Sequence, residues 1–379
     1  MAWRDTIRRP QARATVFSDL TFSTRVVNYS SSRILSVDIT EEVPAIAIPR
    51  RVSECSLRIT NDFAEDESMG GMVPALSAGG SEDLAGLIGM VLRIYIWEGT
   101  DTSATWTSTY IIDGVEATDD GGTIRGFGVE SLLDKTFEEV GLSPSISTSD
   151  TAMTWMLDAM AACGYRRASI RYPPDLDPAF PRPYTVDKTT PVGDVVRGVA
   201  AYLGLTVGMT DSGARGAILP PGSTSVEYGL FDYLPRTTFA EPVQTDTYGS
   251  LIIRDPTNGT SRTMDLNNGM TGVMEIEIPY SSDLTDMSFR SPLWMIKDEL
   301  GRRLGAWHRV DLVGDPELLH ANVYFDEVLD GPVNGEPAVV LKTKQISEYG
   351  YMSTAIDAWR IEHHYDGGFR QSVSGSYTT

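Results

Sequence analysis

The segment from Arg33 to about Val129 repeats one pattern: short runs in which apolar and polar residues alternate, separated by turn residues. A period of two buries one face of a pleated strand, and several such runs in succession commit a chain to an antiparallel sheet closed as a barrel or packed as a sandwich. In "ILSVDIT", Leu35, Val37 and Ile39 fall on one face and Ser36, Asp38 and Thr40 on the other. In "SECSLRIT", Cys55, Leu57 and Ile59 alternate with Glu54, Ser56 and Arg58, whereas "VLRIYIWEG" is apolar on nearly both faces, as a central strand is. "YIIDGVEAT" and "TIRGFGV" flank Asp119-Asp120-Gly121-Gly122, and that turn chemistry predicts an antiparallel hairpin.

Beyond this region the period changes. Met153, Met156, Leu157, Met160 and Ala161 are spaced as one face of an amphipathic helix, and Gly164 supplies a stop. A methionine stripe can line a binding groove, but packing into the helix's own core is the simpler reading. A second helix is predicted with Thr190 as N-cap, Pro191 in its first turn, Val192, Val195, Val196, Val199 and Leu203 on one side, and an end at Gly204. Short strands at Leu205 to Met209 and Ala217 to Leu219 complete an α/β insert, joined internally by the proline-rich "RYPPDLDPAFPRPY". The last third returns to strands, "AVVLKTKQISEY" and a final hairpin turning at Asp366-Gly367-Gly368, with one predicted helix from Ser291 to Gly305 that presents Leu293, Ile296, Leu300 and Leu304. The expected organisation is a β domain over 1–140, an α/β insert over 141–225 and a second β-rich domain with one helix over 226–379.

The net charge of −21 disfavours tight nucleic-acid binding, which needs a basic patch to release counterions. Basic residues occur as scattered pairs, such as Arg50-Arg51 and Arg302-Arg303. An acidic surface keeps a protein soluble and repels DNA passing nearby. Two cysteines, Cys55 and Cys163, are too few for a disulfide framework and read as buried free thiols. The N-terminal residues lack the apolar core of a secretory signal, and Leu84 to Trp97, the most apolar stretch, carries Arg93 and is shorter than the ~20 residues of a membrane span. Synthesis in the cytoplasm without a membrane span is expected.

The stretch "TIRGFGVESLLDK", Thr123 to Lys135, opens like a dinucleotide-binding fingerprint, yet Ser131 occupies the third-glycine position and the strand belongs to a hairpin rather than a β-α-β unit. Gly126 and Gly128 read instead as places where a strand bends against a close neighbour. No nucleophile elbow, phosphate loop or zinc helix occurs. His363 and His364 are adjacent, so on a strand they point to opposite faces and cannot jointly chelate one ion. Asp62, Glu65, Asp66 and Glu67 lack calcium-loop spacing and read as a solvated loop. Trp106 and Trp359 could contact glycans if exposed, although sheet-core positions suit them better. No catalytic, cofactor-binding or metal-binding residue is assigned, and no enzymatic activity is expected.

The order of elements, "RILSVDITEEV", "RVSECSLRITND", "VLRIYIWEG" and then "STYIIDGVEATDDGGTIRGFGVESLLDK", resembles the first tube-like domain of the baseplate hub, or tail hub, proteins of tailed bacteriophages. The segment Gly128 to Asp134 matches, loosely, the strand-to-helix corner of that family, and the C-terminal strands extend the resemblance over most of the chain. The resemblance implies a mainly β fold: two tail-tube-like antiparallel barrel or sandwich domains with a smaller helix-containing peripheral domain. It further implies a structural virion protein at the tail tip, a homotrimer converting sixfold tail symmetry to threefold around a channel that DNA meets only in passage. Its partners would be the distal tail ring or tail-tube protein, the tape-measure protein and tip fibre or spike proteins. Ending at "SVSGSYTT", the chain would be a hub without the long C-terminal extension of many relatives. A distal tail ring protein is close in fold, and a tail-tip carbohydrate or cell-wall hydrolase is the alternative from another class. The insert between two β regions favours the hub.

Overall fold

The computed structural model describes residues 10–42, 52–60, 85–98, 101–118, 121–165, 169–170, 177–203, 206–210, 215–219, 227–228, 243–244, 248–267, 269–284, 303–313, 324–328, 338–342 and 355–378. The protein is mainly β with a small helical part. Its N-terminal strands are β1 (Pro10–Phe17), β2 (Arg25–Tyr29), β3 (Ile34–Glu42), β4 (Val52–Thr60), β5 (Val91–Glu98), β6 (Asp101–Thr118) and β7 (Gly121–Gly128). They hydrogen-bond in the order β3-β4-β7-β6-β5-β1-β2, every pair antiparallel. Ala12, Ala14 and Val16 of β1 share one core with Val37 and Ile39 of β3, Leu57 of β4 and Ile94 of β5, so the sheet curls around a common interior. Ser31, between β2 and β3, links back to β1: its hydroxyl donates to the Ala12 carbonyl (2.7 Å) and accepts from the Ala12 N–H (3.2 Å).

Alternation sets these strands as expected, with one instructive slip. Cys55, Leu57 and Ile59 are buried and Glu54 and Arg58 exposed, while β5 sits centrally between β1 and β6. In β3 the register shifts between Ile34 and Ser36, a bulge that turns Leu35 outward at 50% exposure and buries Ile34 instead. One inserted residue reverses the facing of everything before it. The β6–β7 hairpin forms with Thr118 paired to Gly121, so both glycines lie in the strand rather than in the turn.

The insert carries a one-turn helix α1 (Phe137–Val140), α2 (Ala152–Ala162), α3 (Val192–Tyr202) and the antiparallel pair β8 (Thr206–Thr210) and β9 (Arg215–Leu219). Helix α2 buries Met153, Met156 and Met160 as the periodicity requires, but its buried face also takes in Trp155 and Ala159, leaving Ala161 exposed. It ends in a Schellman turn: Tyr165 N–H reaches the Met160 carbonyl (3.1 Å) and Gly164 N–H the Ala161 carbonyl (3.0 Å), with Gly164 at φ 109°. Its start is capped from a distance. Asp177 accepts from Met153 N–H (2.8 Å) and from the hydroxyls of Thr151 (2.6 Å) and Thr154 (3.0 Å). Asp177→Ala is therefore expected to lower stability by about 1–2 kcal/mol, read as a downward shift of the urea midpoint at unchanged slope.

Helix α3 buries Val192, Val195, Val196, Val199 and Leu203 on the expected side, but its N-cap is Pro191, one residue later than Thr190. The Thr190 carbonyl instead accepts from Phe137 N–H (3.3 Å), and Val192 N–H is satisfied by the Lys135 carbonyl (2.9 Å). A strand-like contact between Thr136 and Pro191 thus does the work of a side-chain cap.

Three further strands, β10 (Tyr248–Asp255), β11 (Thr260–Asp265) and β12 (Gly272–Glu277), form a separate sheet with β10 central, antiparallel to β11 and parallel to β12. Its buried Leu251, Ile253, Met264 and Ile278 pack with Ala201 of α3. The C-terminal strands β13 (Arg303–Val313), β14 (Tyr324–Val328), β15 (Ala338–Lys342), β16 (Ala355–Tyr365) and β17 (Phe369–Thr378) join the N-terminal sheet. On one edge β16 gives its first three residues to β14 and residues 360–365 to β3; its other edge pairs with β17. The predicted helix through Leu304 and Gly305 is corrected here: from Arg303 onward the chain is a strand, because pairing with β17 outweighs local helical spacing. The rest of that predicted helix, 291–302, lies outside the described residues, as do the acidic run 62–67 and the side chains of Trp106 and Trp359.

Candidate functional site

The Gly-x-Gly stretch is a corner of the curled sheet. Strand β7 is antiparallel to both neighbours and runs into a single 3-10 helix, Val129–Asp134. Gly126 is required by a close approach, since a Cβ there would lie 2.8 Å from the Ile111 carbonyl oxygen on β6. At Gly128 the nearest obstacle to a Cβ is the side-chain carboxylate of Glu130 rather than backbone. The corner is tied to the insert by Tyr165, whose hydroxyl donates to the Val129 carbonyl at 2.7 Å, and its Val129 and Leu133 belong to the core of α2 and α3.

Cys55 and Cys163 are buried free thiols far from each other in the fold, one in the curled sheet and one at the end of α2. Burial pushes the Cys163 thiol up to about 11, so it is not a nucleophile at neutral pH. His364 sits on the outer face of β16, with Nδ1 against Asp38 of β3 and Nε2 3.2 Å from Asp366. This contact clips the C-terminal hairpin to the N-terminal sheet. Among the described residues no group of His, Cys, Asp and Glu has the geometry of a metal site, and no helix is long and apolar enough to cross a membrane.

Among the described residues, the densest polar arrangement is one that sequence reasoning missed. Asp255, at the end of β10, has a side chain only 1% exposed. Its carboxylate accepts from Arg182 Nη2 (2.6 Å), from the backbone N–H groups of Thr257 (3.0 Å), Tyr280 (3.0 Å) and Ser282 (3.1 Å), and from the hydroxyls of Thr257 and Ser282. Arg182 also reaches Thr257 Oγ1 (2.8 Å), Ser282 Oγ (2.7 Å) and Asp283 (3.0 Å). Burial raises the Asp255 carboxyl, but hydrogen bonds from Ser282 and Thr257 outweigh it and hold the group below the ordinary carboxylate range.

Beside this knot, Tyr280 is fully buried among aromatic rings: Phe180 at 5.1 Å, Tyr202 at 5.6 Å and Tyr184 at 6.4 Å between centroids. A shallow hollow of about 370 Å³, lined by Ile253, Thr260, Arg262 and Leu284, opens next to Asp255. Six donors already fill the carboxylate's acceptor positions, so chemically the arrangement is a fastener between the insert and the β10–β12 sheet rather than a proton-transfer site.

No protein-family model matches the chain, and no curated protein matches it by sequence. Its structure is similar to that of the 43 kDa tail protein of prophage MuSo2 from Shewanella oneidensis, with a TM-score of 0.53 and 12% identity over 97% of both chains. It is similarly close to a tail protein from Neisseria meningitidis MC58, with a TM-score of 0.52 and 9% identity over 97% of this chain and 96% of the other. Across nearly its whole length, then, the chain has the fold of phage tail proteins.

Proposed function

We propose that the protein is a structural component of a phage tail, the trimeric hub at its distal end, which adapts sixfold tail symmetry to a threefold tip around the channel for DNA. The observation that carries this reading is the end-to-end likeness to two tail proteins, which takes in the insert and the small sheet as well as the curled sheet. The architecture supports it. Among the described residues strand β2 pairs with β1 alone, which leaves its other side as an edge that a ring of copies can cover. The net charge of −21 suits a wall past which DNA slides without binding. The polar groups at the most elaborate side-chain cluster are engaged in joining parts of the chain, as a scaffold requires. In this reading the partners are the distal tail ring or tail-tube protein above, the tape-measure protein within, and tip fibre or spike proteins below. The protein assembles into the virion in the host cytoplasm.

Electron microscopy of the purified chain, with class averages inspected for rotational symmetry, tests the reading. A threefold ring with a hole wide enough for duplex DNA is the expected result. A sixfold ring would transfer the chain to the distal tail ring. Particles with no rotational symmetry, alone and with the neighbouring tail proteins, would overturn the hub assignment.

A further inference from the structure

We infer that Asn258, followed by Gly259, is a deamidation site that the Asp255 junction holds closed: opening the junction lets the site convert, and conversion keeps the junction from closing again. The sequence places glycine after asparagine at Asn258, Asn268 and Asn334. A glycine has no Cβ, so its backbone nitrogen can approach the preceding side-chain amide closely. In the reaction the Gly259 nitrogen, having lost its proton, bonds to Cγ of Asn258. The Cγ–Nδ2 bond breaks, and with a proton taken from water the nitrogen leaves as ammonia. Water then opens the cyclic imide at either carbonyl, giving aspartate or isoaspartate and returning the proton to the backbone nitrogen. The balance is one water consumed and one ammonia released, with no oxidant or reductant.

The fold ties down both the attacking and the leaving nitrogen. In the turn between β10 and β11, where Asp255 pairs with Thr260, Gly259 lies at φ 72° and its N–H donates to the Asp255 carbonyl at 2.9 Å. The proton that must leave is therefore engaged. Asn258 Oδ1 accepts from the Thr260 N–H (3.0 Å) and hydroxyl (2.7 Å), and the backbone donor fixes which end of the amide is oxygen. The Nδ2 end donates to Ser282 Oγ at 2.8 Å. Ser282 has no proton for the departing nitrogen, since its hydroxyl donates to Asp255 while its oxygen also accepts from Arg182 Nη2 (2.7 Å). The Thr260 donors polarise the amide carbonyl, which favours attack, but water supplies the same polarisation to an open chain. The bonds at Gly259 N–H and Asn258 Nδ2 have no such offset, so the folded turn is the slower one. Burial plays no part: Asn258 and Gly259 are exposed, and a Cβ at Gly259 would meet nothing within 4 Å.

Conversion acts back on the junction. A carboxylate at this position puts an acceptor where a donor stood, against a Ser282 oxygen whose one proton already goes to Asp255. It also adds a negative charge beside Asp255 and Asp283, which already share the guanidinium of Arg182. The isoaspartate product lengthens the backbone within the turn and carries the Gly259 N–H away from the Asp255 carbonyl. Either product makes the site a one-way record of an opening at the fastener.

The test is peptide mass spectrometry of the full chain after incubation in mildly alkaline buffer, with and without urea, scoring aspartate and isoaspartate at Asn258. In urea, Asn258 should convert as fast as Asn268 and Asn334, since each precedes glycine. In the folded wild type it should convert at least about tenfold more slowly than in urea, because only the locally opened fraction reacts. Folded Ser282→Ala, which releases Nδ2, should convert several-fold faster than wild type. Asn258→Asp, which installs the product's charge, should speed hydrogen exchange over 248–284 and leave 10–60 unchanged. Conversion of the folded wild type at the urea rate would overturn the protection. A wild-type rate in Ser282→Ala would remove the junction from the mechanism, and unaltered exchange in Asn258→Asp would overturn the one-way consequence.

Discussion

Replacing Asp255 by alanine is expected to cost about 3–5 kcal/mol and to loosen the β10–β12 sheet from the insert before the rest of the molecule responds. The magnitude follows from what is left behind. Arg182 would lose its buried carboxylate and keep the Thr257 and Ser282 hydroxyls and Asp283, at 3.0 Å on a partly exposed rim, while the N–H groups of Thr257, Tyr280 and Ser282 would lose their acceptor. Removing one member of a buried, hydrogen-bonded charge pair strands the other, which costs far more than an exposed pair contributes. Asp255→Asn should be nearly as damaging, because an amide places an NH2 among groups that are all donors. The pH dependence has a definite sign. The folded carboxyl is held below its unfolded value of about 3.9, so its contribution is complete above that value and disappears as pH falls through the lower, folded one. Hydrogen-exchange mass spectrometry of Asp255→Ala should show faster exchange over 248–284 with little change over 10–60. Uniform acceleration of both segments, or an unaltered melt, would sink the idea of a local fastener.

What the sequence revealed and what it concealed divide along the range of the interactions. Strands β4, β5 and β7 were legible because the signal of each is local: alternation over nine residues in β4, an apolar run of eight in β5, and the turn chemistry just before β7. The facing of Leu35 was not, since a bulge is set by pairing with β4 rather than by β3 alone. The helical spacing at Leu300 and Leu304 was real as a pattern, yet from Arg303 the backbone is claimed by β17, more than sixty positions away along the chain. The Arg182–Asp255 knot joins residues 73 positions apart. Its one local trace was a bland feature: Arg182 stands between Pro181 and Pro183 in a segment taken only as an extended connection. Those prolines fix the backbone that presents the guanidinium, so an arginine held between two prolines was the available signal. The corner at Gly126 and Gly128 was readable because a glycine before a helix start has few physical uses, and the missing third glycine excluded the most specific of them.

Tyr280 separates packing from polarity at the same junction, and its two simplest substitutions should move stability in different directions. Tyr280→Ala is expected to cost about 3–5 kcal/mol, because the ring is fully buried and three other aromatics pack on it. Tyr280→Phe should be neutral or stabilising by up to about 1 kcal/mol: the hydroxyl is shut from solvent with no hydrogen-bond partner among the described residues, and burial drives its ionisation well upward. The backbone adds a third term. Tyr280 lies in the left-handed region at φ 61°, which costs a side-chain-bearing residue about 1 kcal/mol, so Tyr280→Gly should unfold less readily than Tyr280→Ala although it removes more atoms. Denaturant melts of the three variants give the ordering directly. A Phe variant as unstable as the Ala variant would mean that the hydroxyl has a partner, and the junction would then have to be read as a polar network extending from Asp255. With the expected order, the aromatic cluster supplies the adhesion between insert and sheet, and the Arg182–Asp255 pair supplies the register in which they adhere.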